Sequence, residues 1–218
     1  MSKIQVYFMP GLAASASIFE KIELPKDTFE IHLLNWVLPE KNETIQNYAH
    51  RMAKLVTHPD AVLIGVSFGG ILVQEMAAFL QLRKLIIISS VKSNKEFPKR
   101  IKFAKATKIY KLIPTSLLKN VNFLMKFAFG SNLKNRLELY ERFIYMNDVR
   151  YLNWAIEQVI CWDRQQIDQN VVHIHGEADA VFPSQHITNY ICVNKGTHLM
   201  IVNRFRWFNE FLPEIILS

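Results

Sequence analysis

The 218-residue chain lacks the features that mark several specialised classes of protein. Its two cysteines, Cys161 and Cys192, stand far apart and give neither a zinc-binding spacing nor a disulfide framework. No apolar run approaches the roughly 20 residues of a membrane-spanning helix, and the first residues do not have the pattern of a secretory signal. These absences exclude a disulfide-stabilised scaffold, and they predict a cytoplasmic protein with both cysteines in its core.

Glycine is also scarce, with seven residues in the chain. Where glycine is rare, the glycines that remain are expected at positions where the backbone geometry demands them. Six of the seven fall in loops that follow predicted strands or in the turn at residues 65–70: Gly11, Gly65, Gly69, Gly70, Gly176 and Gly196.

Acidic residues are outnumbered, with 19 against 26 lysines and arginines, which gives a formal net charge of +7. The excess is local, because the segment 92–119 holds nine basic residues and a single acidic one, Glu96. A solvated helix face is the simplest interpretation of this basic segment. Docking of an acidic partner, or contact with an anionic membrane surface, are the alternatives.

Half of the residues are hydrophobic, which suits one domain with a sizeable core. Short apolar strands alternate with helical patterns in both outer parts of the chain. This alternation predicts an α/β fold with a mostly parallel sheet of about six strands flanked by helices. Between them, residues 92–168 show only amphipathic helical patterns, so we expect a core formed by 1–91 and 169–218, with 92–168 inserted as a helical cap or lid.

One stretch joins a buried strand to a helix through the turn Gly65-Val66-Ser67-Phe68-Gly69. The spacing fits the G-x-S-x-G nucleophile elbow, in which a serine hydroxyl stands clear of the sheet edge. Strand and helix approach so closely in such a turn that only glycine fits two residues before and after the serine. The interpretation is therefore a nucleophile at Ser67.

A nucleophilic serine needs a base and an orienting acid. His198 follows the last predicted strand and should lie at the same edge of the sheet as Ser67. The other histidines weighed for this role are expected to be structural or solvated: His32, His50, His58 and His173. For the acid, Asp179 in the loop after the penultimate strand is the first choice. Glu177 and Asp163 are the alternatives, the latter expected to cap structure or to pair with Arg164.

Taken together, these motifs resemble the α/β-hydrolase superfamily, whose functional residues run serine, acid, histidine along the chain. The resemblance rests on the elbow, on the H-G-x-x-D pattern 175–179 and on the G-x-H pattern 196–198, and it covers nearly all of the chain except the helical block. The sequence departs from the family at Pro10-Gly11, where many members have His-Gly. It also starts at what resembles the third strand of the family, so the usual N-terminal hairpin is expected to be absent.

The resemblance implies a catalytic triad of Ser67, Asp179 and His198, with an oxyanion hole formed by the backbone N–H groups of Leu12 and Phe68. It implies neither a metal nor an organic cofactor. The expected activity is hydrolysis of a carboxylic ester with an apolar or medium-chain acyl group, through an acyl-enzyme on Ser67, because the helical block is rich in apolar side chains.

The expected partner is a small-molecule ester or thioester, with no nucleic acid. An acyl thioesterase or an acyl-carrier-protein ester hydrolase is the alternative, with the acidic carrier protein docking on the basic segment. A further alternative is a hydrolase-like binding protein without catalytic activity. Trp36 is expected in the core, although it could also reach the substrate pocket.

Overall fold

The structure, a computed structural model, describes residues 2–112, 143 and 145–218. Within them one sheet contains six strands: β1 (Ile4–Met9), β2 (Phe29–Leu33), β3 (Ala61–Val66), β4 (Leu82–Ile88), β5 (Val171–Gly176) and β6 (Ile191–Val193). Neighbouring strands are all parallel, in the order β2-β1-β3-β4-β5-β6. The predicted parallel sheet of about six strands is therefore confirmed.

Helices cover both faces of this sheet. In the described part of the chain they are α1 (Ile45–Ala53), α2 (Phe68–Met76), α3 (Lys99–Thr107), α4 (Val149–Cys161), α5 (Met200–Asn203) and α6 (Phe205–Leu217). Short 3-10 turns occur at Ala16–Phe19, Ala77–Phe79, Asn94–Glu96, Ile109–Leu112 and Ser184–His186. One hydrophobic cluster joins the sheet to α1, α2 and α4, and a second joins the opposite face to α5 and α6.

The sequence explains why these elements form. All six residues of β3 are buried, as expected for a parallel strand covered on both faces. Helix α1 begins at the N-cap Thr44, whose hydroxyl accepts a hydrogen bond from the N–H of Asn47.

Helix α4 confirms one of the apolar stripes predicted within residues 92–168, because its residues Leu152, Ala155, Ile156 and Val159 are all buried. They belong to the same hydrophobic cluster as α1 and α2, so α4 packs on the core. Residues 113–142 and 144 of this predicted helical block lie outside the described residues, whereas Phe143 is described and is buried. The division into a core and an inserted cap stays a prediction.

Two element boundaries depart from local sequence preference. Helix α6 does not stop before Pro213 but continues to Leu217. Proline removes one backbone donor, yet Phe208, Leu212 and Ile216 form one buried stripe that continues past it, and this packing outweighs the local preference. Strand β6 begins only at Ile191, because Asn189 has a positive φ of 48° that breaks the extended chain.

Two predictions about individual side chains also failed. Cys192 is exposed on the edge strand β6 and Cys161 is only partly buried, so the cysteines are not both core residues. Lys92, counted in the basic segment, is buried, and its ammonium donates to the carbonyl of Asn189. In the part of the chain that the structure describes, no helix combines the length and the hydrophobicity needed to cross a bilayer.

Candidate active site

Three loops meet at the carboxyl edge of the sheet, where open α/β sheets bind ligands. Ser67 lies in the turn between β3 and α2, Asp179 in the loop after β5, and His198 in the loop after β6. The last two loops are bonded to each other, since the N–H of Ala178 donates to the carbonyl of Gly196 at 2.8 Å. A Cβ on Gly176 would lie 2.6 Å from the carbonyl carbon of Gly196, so these loops approach too closely for a side chain there.

The backbone of Ser67 is in a sparsely populated conformation, with φ of 54° and ψ of −119°. For a residue other than glycine such a conformation costs about 1–3 kcal/mol. Ser67 also occupies the N-cap of α2, yet its hydroxyl makes no capping hydrogen bond. Ser67 therefore follows neither the usual backbone conformation of a serine nor its usual capping hydrogen bond. Its hydroxyl is available to bond another partner.

The flanking glycines confirm the steric argument for the elbow. A Cβ on Gly65 would lie 2.6 Å from the carbonyl carbon of Gly69, and a Cβ on Gly69 would lie 2.6 Å from the carbonyl oxygen of Met9. Both contacts are with backbone atoms, which cannot move aside as a flexible side chain can.

The Ser67 hydroxyl belongs to a chain of two hydrogen bonds. His198 Nε2 lies 2.8 Å from Ser67 Oγ, and His198 Nδ1 lies 2.8 Å from Asp179 Oδ2. A carboxylate only accepts, so the ring proton is on Nδ1, and Nε2 carries the lone pair that accepts from the serine hydroxyl. This tautomer is the one a general base for Ser67 requires.

The second carboxylate oxygen of Asp179 is held by the backbone. Oδ1 accepts from the N–H groups of Val181 at 2.8 Å and Phe182 at 3.0 Å. Burial alone raises the pKa of Asp179, but the charge and hydrogen bond of His198, with smaller contributions from His175 and the Phe182 N–H, outweigh it. The pKa of Asp179 therefore lies below its ordinary value, and the carboxyl is ionised at neutral pH.

Two buried histidines of β5 lie behind Asp179. The Nε2 of His175 is 2.8 Å from the carbonyl of Phe182 and 3.7 Å from Asp179 Oδ2, and its Nδ1 is 3.1 Å from His173 Nε2. Because a carbonyl only accepts, His175 carries its proton on Nε2 and accepts from His173 on Nδ1. Burial lowers the pKa of both rings, well below 6.5 for His173, where the charges of His175 and Lys92 lower it further.

The loop after β1 lies against the elbow. A Cβ on Gly11 would be 3.5 Å from the Cβ of Ser67, so the next peptide N–H, that of Leu12, belongs to a residue adjacent to the serine. Among the described residues, the N–H groups of Leu12 and Phe68 have no hydrogen-bond acceptor. Trp36 is buried, donates its indole N–H to the carbonyl of Gly11 at 2.7 Å, and stacks on the Phe68 ring at 4.9 Å.

The alternatives weighed on sequence lie elsewhere. The Glu177 carboxylate accepts from the N–H of Lys195. Asp163 was expected to cap structure or to pair with Arg164; the pairing is not formed, because Arg164 pairs with Glu75 at 3.1 Å. His32, on β2, stacks on the ring of Tyr7. His50 and His58 are exposed. In residues 2–112, 143 and 145–218, no group of three or more potential ligands is arranged to hold a metal ion.

Sequence reasoning missed several residues that support the site. Trp36 was expected in the core, where it lies, but its bond to the loop after β1 has no local sequence signal. Ser90 donates its hydroxyl to the carbonyl of Ser67 at 2.8 Å, and Arg100 donates to the loop that follows Asp179. Arg100 was counted only as one charge of the basic segment.

This sheet, with a strand–serine turn–helix at its centre and acid and histidine loops at its carboxyl edge, is the α/β-hydrolase fold. Solved structures with the same fold cover nearly the whole chain. A hydrolase from Oleispira antarctica has a TM-score of 0.73 at 12% identity, with 100% of this chain and 92% of that chain covered.

Two further solved structures are similar to this chain. An esterase from Exiguobacterium antarcticum has a TM-score of 0.69 at 15% identity, covering 100% of this chain and 93% of that one. A bromoperoxidase from Bacillus anthracis has a TM-score of 0.68 at 15% identity, with coverage of 99% and 92%. Neither a protein-family model nor a curated protein sequence matches the chain. At these identities the likeness establishes the fold alone.

Proposed function

We propose that the chain is a serine hydrolase that cleaves a carboxylic ester with an apolar or medium-chain acyl group, through an acyl-enzyme on Ser67. The observation that carries the proposal is the unbroken chain of hydrogen bonds from Asp179 through His198 to Ser67, with 2.8 Å in each step. The strained backbone of Ser67 and the ionised state of Asp179 support it.

The reaction follows from these groups. His198 Nε2 takes the proton of Ser67 as Oγ attacks the ester carbonyl, and Asp179 stabilises the imidazolium that forms. The N–H groups of Leu12 and Phe68 hold the oxyanion, each worth about 3–4 kcal/mol in the transition state. His198 then protonates the leaving alcohol, and water, activated by the same base, hydrolyses the acyl-enzyme.

The described side chains next to the reacting groups favour an apolar acyl group. Leu12 and Phe68 adjoin the serine, and the Phe182 ring lies 5.6 Å from the ring of His198. Esterases are among the solved structures that share this fold, which is consistent with an ester substrate.

A thioester or an acyl-carrier-protein ester remains the alternative substrate. This alternative is supported by the basic segment, of which Lys99 and Lys102 are exposed on α3. The carrier-protein partner stays a prediction from charge. A binding protein without activity is the third possibility, and the intact hydrogen-bond chain argues against it.

The test is turnover of p-nitrophenyl esters across acyl chain lengths, beside thioesters of the same acyl groups. Ser67→Ala should lower kcat by about 10⁶ without changing the free energy of unfolding, because it deletes only the nucleophilic oxygen. Ser17→Ala, at an exposed serine, is the control and should be fully active. A fluorophosphonate should label Ser67 alone; a folded protein that neither reacts with this probe nor turns over any ester would instead be a binding protein.

A further inference from the structure

Arg100, the second residue of α3, reaches across to the loop that holds the candidate catalytic acid. Its Nη2 donates to the carbonyl of Ala180 at 2.9 Å and to the carbonyl of Val181 at 2.7 Å. The N–H groups of Val181 and Phe182 are the two donors to Asp179 Oδ1. We propose that Arg100 is a positioning residue that orients Asp179 through these two peptide groups, an inference that rests on the proposed serine hydrolase mechanism.

The argument depends on which atoms belong to the same peptide group. The carbonyl of Ala180 and the N–H of Val181 form one planar unit, and the carbonyl of Val181 and the N–H of Phe182 form the next. In a trans peptide the oxygen and the hydrogen point in opposite directions. Arg100 therefore bonds the outer end of both units, while Asp179 accepts from the inner end of both.

Two physical effects follow. A hydrogen bond to a carbonyl strengthens the donor at the other end of the same peptide, and the effect is larger when the donor is charged. The guanidinium also fixes both peptide planes in space, so the carboxylate that they hold has one orientation relative to His198. Arg100 is exposed to solvent, which weakens the electrostatic effect but leaves the geometric one.

The contact also ties the acid loop to the helical segment. On α3 the adjacent Ile101 is buried, and Lys105 donates to the carbonyl of Cys161 at the end of α4. The position of α3 on α4 therefore determines where the guanidinium lies.

The test compares Arg100→Met, which removes both bonds, and Arg100→Lys, which keeps the charge without the planar guanidinium, with the control Lys99→Met. Lys99 is the neighbouring residue of α3, is exposed, and has no hydrogen bond or ion pair among the described residues. The first readout is nitrogen NMR of isotope-labelled histidine, which measures the share of His198 with its proton on Nδ1. The second is kcat and KM for a p-nitrophenyl ester, with and without added guanidine.

In Arg100→Met we expect a lower share of the Nδ1–H form and a kcat reduced about tenfold at a KM within about twofold. Arg100→Lys should fall between this variant and the wild type, guanidine should restore part of the loss in Arg100→Met alone, and Lys99→Met should be unchanged. A folded Arg100→Met protein with the wild-type share of Nδ1–H would overturn the proposal. The NMR readout needs no turnover, so it decides the role of Arg100 even if the wild type hydrolyses no ester and the proposed function fails.

Discussion

Acidification below pH 6.5 should destabilise the protein through the buried His173. His173 is 2% exposed, and burial, together with the charges of His175 and Lys92, holds its pKa well below 6.5. Below pH 6.5 the unfolded chain binds a proton at this position more readily than the folded chain does. The unfolded state thus binds more protons, so the free energy of unfolding falls as the pH falls.

The magnitude follows from the ordinary pKa of 6.5 in the unfolded chain. Proton binding stabilises the unfolded state by RT ln(1 + 10^(6.5 − pH)), which is about 2 kcal/mol at pH 5 and below about 0.1 kcal/mol at pH 7.5. His175, whose pKa is also lowered by burial, adds to this loss. A loss of this size is a large part of the stability of a typical domain.

The assay is urea unfolding at several pH values between 7.5 and 5, in the wild type and in His173→Gln. Glutamine keeps an N–H donor for His175 Nδ1 but does not titrate, so the loss on acidification should be smaller in this variant by up to about 2 kcal/mol. His50→Gln, at an exposed histidine of α1, is the control and should keep the wild-type loss.

Two results would refute the reasoning. One is a wild type whose free energy of unfolding is constant between pH 7.5 and 5. The other is a His173→Gln protein that loses as much stability as the wild type, which would place the extra protons of the unfolded state at other groups.

The remaining predictions concern the elbow and the loop beside it. Gly69→Ala should lower the midpoint of thermal unfolding by several degrees, since its Cβ would collide with the carbonyl of Pro10, whereas Gly11→Ala, with its nearest contact at 3.5 Å, should not; equal midpoints would contradict the steric argument. Trp36→Phe should lower kcat for an ester about tenfold at nearly constant KM, because the Gly11 carbonyl loses its indole donor. Trp154→Phe, which removes a similar 2.7 Å bond to a backbone carbonyl, is its control, and an equal effect of both variants would assign Trp36 to packing alone.

Much of the fold could be predicted because its signals are local. Short apolar runs identify the strands, and the glycines at 65 and 69 mark a turn in which a Cβ would meet backbone atoms. The candidate triad could also be predicted, since the carboxyl ends of parallel strands meet at one edge of the sheet. The boundary of α6 could not, because the packing of Ile216 on a distant part of the core decides whether the helix passes Pro213.

The supporting residues were out of reach for a related reason. Arg100 is 80 residues from one of its acceptors, and in sequence it is indistinguishable from the lysines around it. Only the folded structure, which places α3 beside the loop after Asp179, distinguishes Arg100 from the neighbouring lysines. The prediction for Cys192 was wrong because it relied on residue type alone. Cysteine is usually buried, but here it lies exposed on the edge strand β6.

These supporting contacts share one arrangement. The indole of Trp36 bonds the carbonyl of the peptide whose N–H belongs to Leu12, and the hydroxyl of Ser90 bonds the carbonyl of the peptide whose N–H belongs to Phe68. Arg100 does the same for the two peptides that hold Asp179. Peptide dipoles stabilise developing charge only if they are oriented before the reaction, because reorientation during the reaction would consume the stabilisation that they give.

Side chains from three separate parts of the fold bond the carbonyl oxygens of these peptides. Trp36 follows β2, Ser90 follows β4 and Arg100 lies on α3. The packing of the whole sheet and of α3 therefore sets the orientation of the groups around Ser67. Loss of one of these hydrogen bonds to a carbonyl should accordingly lower kcat while KM changes little. The substrate still contacts the same surface, but the peptide dipoles are no longer oriented toward the charge that develops in the transition state.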